Sequence, residues 1–170
     1  NSKDAALQQT LTSASTAHAP AGAVGGTQLV EVYDAGANNG VKLINVSARN
    51  HCGTGNDVLI AGFVIAGSGK KQVLLRGVGP GLTRKFGLQG VLADPKLTLF
   101  NAQGQPITSN DDWDSALATT FATLGAFDLG SGSKDAALLI ELDAGVYTAQ
   151  VAGADGGNGE ALVEIYDATP

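Results

Sequence analysis

Methionine is missing from the 170-residue sequence, and cysteine and tryptophan each occur once. A lone cysteine, Cys52, excludes an internal disulfide. With only His18 and His51 beside it, Cys52 also falls short of the roughly four protein ligands of a structural zinc site. Charge is scarce as well. Only 15% of residues are charged, and 10 Lys and Arg against 16 Asp and Glu leave a net charge of −6. Such a chain lacks the basic patch that nucleic acid or an anionic membrane surface requires. No apolar run approaches the ~20 residues that span a bilayer as a helix, so membrane insertion is not expected. The missing methionine is compatible with a processed, exported chain, and an extracellular or cell-surface location is the expectation.

Glycine, by contrast, is plentiful, with 24 residues spread between short runs of Val, Ile and Leu. That distribution lacks the strict triplet of collagen and suits the many tight turns of an all-β domain. A chain of this length forms one domain that buries roughly 70% of its unfolded surface.

The most informative feature is a duplication confined to the two ends. Ser133 to Asp167 reads SKDAALLIELDAGVYTAQVAGADGGNGEALVEIYD, and Ser2 to Asp34 reads SKDAALQQTLTSASTAHAPAGAVGGTQLVEVYD. Both copies open on SKDAAL and close on LVEVYDA or LVEIYDA. In the later copy Leu138, Ile140 and Leu142 alternate as a strand, Asp143-Ala144-Gly145 turns, Val146 to Val151 forms a second strand, and Leu162 to Tyr166 a third. The earlier copy has Gln8, Gln9 and Ser15 at core positions and Pro20 where a ladder donor is needed. Its last strand, Leu29 to Tyr33, remains sound. We therefore divide the chain into an N-terminal extended arm, 1–36, and a domain, 37–170.

Within that domain Val41 to Ser47 reads as a strand, Arg49 to Asp57 as a loop, and Val58 to Ala66 as a strand buried on both faces. Gly67 to Lys71 reads as a turn into Gln72 to Val78, giving a central hairpin. Leu82 to Phe86 can form one helical turn, and Leu97 to Asn101 pairs with Pro106 to Thr108. One short helix is expected at about 114–124, capped by Asp114 and ended by Gly125, with Leu117, Phe121 and Leu124 on one face. The fold class is all-β, a two-sheet β-sandwich or jelly roll.

Sites for chemistry are few. Asn110, Asp112 and Asp114 alternate as oxygen ligands do around calcium, although no glycine or distal glutamate follows at EF-hand spacing. The simpler reading of the same residues is an Asx-turn and helix cap. Gly67 to Lys71 fails as a phosphate loop, because Val64 stands where the first glycine belongs and Lys71 where Ser or Thr belongs. Gly77 to Gly81 fails as a dinucleotide fingerprint. No nucleophile elbow accompanies either histidine. The sequence therefore implies a protein that is not an enzyme and needs no cofactor, calcium being the single candidate. Asn45-Val46-Ser47 matches a glycosylation sequon but falls within an expected strand.

The segment SKDAALLIELDAGVYTAQV, Ser133 to Val151, resembles strand–turn–strand segments of secreted bacterial modules of the pre-peptidase C-terminal type. Val41 to Asp167, through VLIAGFVI, VLLRGVGPGL, ADPKLTLFNAQG and SNDDWD, resembles an uncharacterised glycine-rich module repeated in large bacterial surface proteins. These resemblances imply an exported, non-catalytic structural or adhesive role. The arm departs from them. Two expectations follow for it. In one, the chain is the subunit of an extracellular homopolymer, its arm docking on the next subunit through Ala5, Leu7, Leu29, Val30, Val32 and Tyr33. In the other, it is a secreted binding module for carbohydrate or calcium, with the arm part of its own sandwich.

Overall fold

The computed structural model describes residues 6–7, 30–32 and 42–169. The chain divides into two compact units, 1–42 and 43–170. The second unit contains six strands, β1 (Asn45–Cys52), β2 (Leu59–Val78), β3 (Pro95–Asn101), β4 (Pro106–Asn110), β5 (Ala136–Gly153) and β6 (Gly159–Asp167). Two short helices, α1 (Pro80–Phe86) and α2 (Ala118–Leu124), interrupt them. All strand pairs are antiparallel, in the order β1-β6-β2-β5-β3-β4.

The fold is all-β, as the sequence implies, but its layers arise from one folded sheet rather than two separate ones. β2 and β5 are unusually long, at 20 and 18 residues, and each serves both layers. Their register runs from Leu59↔Val151 to Ile65↔Gly145, shifts, and resumes from Lys70↔Asp143 to Gly77↔Ala136. The shift falls at Gly67 and Gly69, whose φ values of 96° and 95° suit glycine alone. The expected hairpin at Gly67 to Lys71 is thus a bulge in a continuous strand, and Asp143 to Gly145 likewise bends β5 without ending it. Neither stretch reverses the chain because the two bends lie opposite each other and answer one another in the ladder.

Beyond the bend the inner faces meet. Leu59, Ile65, Leu97, Leu99 and Val151 from one layer share a core with Val73, Leu75, Ala136 and Val163 from the other. Gly77 sits at a close approach of the two layers: an added Cβ would lie 3.1 Å from Val151 Cγ2 and 3.5 Å from Leu97 Cβ. Full burial of each of these leucines and valines contributes about 1.5–3 kcal/mol.

A second core lies on the opposite face of β2, β5 and β6. Leu74, Val78, Ala137 and Tyr166 are covered there by Leu82 of α1, Phe121 of α2, Trp113 and Leu129. The helix expected at 114–124 opens as a 3-10 turn, Ser115–Leu117, before α2. Asp114 caps it by accepting from the Ala116 N–H at 2.9 Å, and Gly125 ends α2 in the left-handed region. Pro80 occupies the first turn of α1, where its missing N–H costs nothing. β1 runs later than expected, to Cys52, so Arg49 to Cys52 is strand rather than loop, held by the register Asn45↔Tyr166 to Cys52↔Gly159.

Candidate functional site

The first half of β2 carries the sequence LIAGFVI, apolar at every position but one glycine. β5 pairs along one edge of β2 from Leu59 to Gly77, while β6 pairs along the other edge only from Val73 to Val78. Among the described residues, Leu59–Ile65 therefore has a strand on one side alone. Leu59, Ala61, Phe63 and Ile65 turn into the core, and Ile60, Gly62 and Val64 turn out. Ile60 and Val64 are 52% and 68% exposed, so the expectation that this strand is buried on both faces is corrected. Composition misled there: a continuous apolar run looks the same in a central strand and in an uncovered one.

The outward face extends across β5 and β3. Val146 stands opposite Val64, Thr148 opposite Gly62 and Gln150 opposite Ile60, with Thr98 and Phe100 beside them. A shallow hollow lined by Phe100, Asn101, Thr148 and Gln150 lies on it. Among the described residues no helix covers this face, in contrast to the other layer. A long, uncharged, apolar edge strand is an attachment point for another strand, which soluble proteins normally blunt with charge, proline or cover.

Two buried polar clusters fix the geometry of the covered layer. Arg76 and Glu164 are direct cross-strand partners, 0% and 5% exposed, with Nε 3.3 Å from Oε2. The guanidinium lies 4.6 Å from the Phe121 ring centre and 4.5 Å from that of Phe127, and Nη2 donates to the Phe127 carbonyl at 2.9 Å. Tyr166 donates its hydroxyl to Glu164 Oε1 at 2.9 Å. Burial pushes the Glu164 carboxyl above its ordinary range, against the opposing pull of Arg76 and Tyr166. Burial first, and then the charge of Glu164, pushes the Tyr166 phenol up as well.

In the other cluster Asp135, fully buried, accepts from the Gly79 N–H at 2.7 Å and the Gly81 N–H at 2.9 Å, and from the Ser133 hydroxyl. The carboxylate thus pins the Gly-Pro-Gly turn at the start of α1 to the start of β5. The Asp135 carboxylate is satisfied by the fold itself and serves structure, whereas Arg76 Nη1 is buried without a hydrogen-bond partner among the described residues. Sequence reasoning missed both clusters. Their signals were an arginine inside the apolar run VLLRGV and an aspartate directly before a buried strand.

The candidate calcium residues do not converge. Asn110 Oδ1 accepts from the Ala137 N–H at 2.9 Å and its Nδ2 donates to the Asp112 carbonyl. Asp112 binds Lys134 Nζ at 3.1 Å and holds that ammonium above its ordinary pKa by the hydrogen bond and its charge, while Asp114 serves as cap. Among the described residues no group of three or more His, Cys, Asp or Glu is arranged to hold a metal ion. Cys52 is buried, donates to the Val151 carbonyl at 3.1 Å, and has its thiol pKa raised by burial. Of the arm residues, Leu7, Val30 and Val32 are 87%, 57% and 54% exposed. Ala5, Leu29 and Tyr33 lie outside the described residues. Among those described, no helix is long and apolar enough to cross a membrane.

Comparisons place little beside this chain. No family model matches it, and no curated protein does. Among solved structures it is similar to the pre-peptidase C-terminal domain of a collagenase from Bacillus anthracis. The identity is 10%, the TM-score 0.43, and the match covers 72% of this chain and 89% of that one. So distant a likeness carries no argument about this chain.

Proposed function

We propose that this protein is a non-catalytic structural subunit of an extracellular filament or surface fibre. Subunits join head to tail when the N-terminal arm of one adds a strand to the sheet of the next. Two observations support this reading: an apolar strand edge at Leu59–Ile65 that is uncovered among the described residues, and a near copy of the β6 sequence in the arm. Strand addition of this kind draws affinity from main-chain hydrogen bonds and specificity from alternating side chains. Because donor and acceptor are different surfaces, the contact is heterologous, and a heterologous contact whose rotation does not close propagates as an open helical filament. An exported location suits such a fibre.

Removing residues 1–36 tests it. The expected outcome is a folded, monomeric domain by light scattering and no filaments by negative-stain microscopy. Filaments formed as readily without the arm would sink the reading. A full-length chain that stays monomeric at every concentration favours the alternative of a secreted binding module, for which the hollow at Phe100, Asn101, Thr148 and Gln150 is the place to look for a sugar.

A further inference from the structure

We infer that the acceptor for the arm is one particular half-edge, Leu59–Ile65 of β2, and that its occupant is the segment Leu29–Asp34 of a second copy, laid antiparallel. This inference rests on the assembly reading above and gives it an address. β2 has two halves, and β6 fills only one of them along the edge that β5 leaves free. The strand that fills it reads LVEIYD, and the arm carries LVEVYD. Among the described residues, the same edge therefore offers, one bend further along, an opening for a second strand of nearly the same sequence.

The faces agree. In β6, Val163 and Ile165 turn to the core between the layers, while Leu162 and Tyr166 turn to the opposite side. Residue parity along β2 is preserved through the bulge, with Leu59, Ile65, Val73 and Leu75 all in the inner core. An arm strand in the sense of β6 therefore directs Val30 and Val32 inward beside Ala61 and Phe63. Leu29, Glu31 and Tyr33 then stand on the outward face beside Ile60, Gly62 and Val64. Glu31 would lie in solvent there. No counterpart of Arg76 is needed, and Gly62 leaves room for the Tyr33 ring.

The other conceivable berth is the slot of β6 itself. There Glu31 would have to replace Glu164 as the partner of buried Arg76, since an unpaired buried charge is strongly destabilising. The outer edge of β1 is also open among the described residues, but seven of its eight residues are exposed, and Asn50 interrupts the face formed by Val46, Ala48 and Cys52.

The experiment compares full-length wild type with I60K/V64K, V46K and E31Q by light scattering over a concentration series. Ile60, Val64 and Val46 are exposed, so lysine there leaves the fold intact, as circular dichroism will show. Lysines along an edge strand oppose strand addition. The expected result is loss of assembly in I60K/V64K alone, with V46K and E31Q matching wild type. Assembly of I60K/V64K at wild-type concentrations, or its loss in V46K, overturns this acceptor while leaving arm docking in place. Loss of assembly in E31Q with a wild-type response in I60K/V64K moves the arm to the slot of β6 and likewise overturns it. Assembly that survives removal of residues 1–36 overturns the filament reading itself.

Discussion

Arg76 and Glu164 face each other across two central strands, and the guanidinium of Arg76 is enclosed by the rings of Phe121 and Phe127. Both charges are out of water, so each depends on the other. Removing one alone, as in Glu164→Ala, costs about 3–5 kcal/mol. Replacing both with apolar residues, as in R76M/E164L, restores much of that loss. Urea denaturation of the two singles and the double measures the coupling. Additive losses in the double would contradict a dependent pair.

The same glutamate makes stability depend on pH. Its carboxyl is raised above 4.5 in the folded state, so the folded chain holds this proton more tightly than the unfolded one. That contribution is complete below about 4.5 and is lost as pH rises through the folded-state value. Glu164→Gln lacks it. The stability advantage of wild type over E164Q therefore narrows as pH rises from acid, and urea titrations at a series of pH values check the sign.

Asp135→Ala strands the Gly79 and Gly81 N–H groups that the carboxylate now satisfies. Hydrogen bonds to a charged acceptor are worth about 1.5–3 kcal/mol each, so a loss of about 3 kcal/mol or more is expected. Amide exchange read by NMR should show the loss concentrated at the start of α1.

Two glycines predict opposite outcomes. A Cβ on Gly79 would sit 2.0 Å from the Leu92 carbonyl oxygen, so Gly79→Ala displaces backbone and lowers the melting temperature severely. A Cβ on Gly62 meets nothing nearer than 3.9 Å, in a strand where glycine is unfavourable. Gly62→Ala is neutral or raises stability by up to about 1 kcal/mol, and thermal melts of both variants decide it.

Cys52 should be silent in the native protein. Its thiol is buried and its pKa raised, which leaves little thiolate to react. A thiol reagent at pH 8 will label it slowly until urea is added, and no disulfide-linked dimer will form on air oxidation. Calcium, in turn, will leave the melting temperature unchanged, because Asn110, Asp112 and Asp114 already commit oxygens to Ala137, Lys134 and Ala116.

Much of the architecture was legible in the sequence. Alternation placed β3, β4 and β6, and Asp114 and Gly125 marked the limits of the helix, because caps act through neighbours in the chain. The layering was not legible. Glycines at 67 and 69 signal a departure from regular strand, yet whether the chain reverses or merely bends depends on what β5 does some seventy-five residues away. The open edge was hidden for a related reason. Hydrophobicity records that Ile60 and Val64 suit contact, while only the ladder shows which side has no strand among the described residues. The duplicated ends were visible at once, since repetition needs no third dimension to be seen.

Because β2 and β5 each run through both layers, neither layer can come apart by itself. A force or a denaturant that opens one must pull the same two strands out of the other, so loss of order should arrive in a single step. The partners involved, such as Leu59 with Val151, are also far apart along the chain. The ordered state should consequently be reached slowly, on the millisecond-to-second scale of all-β domains, and be slow to let go once formed.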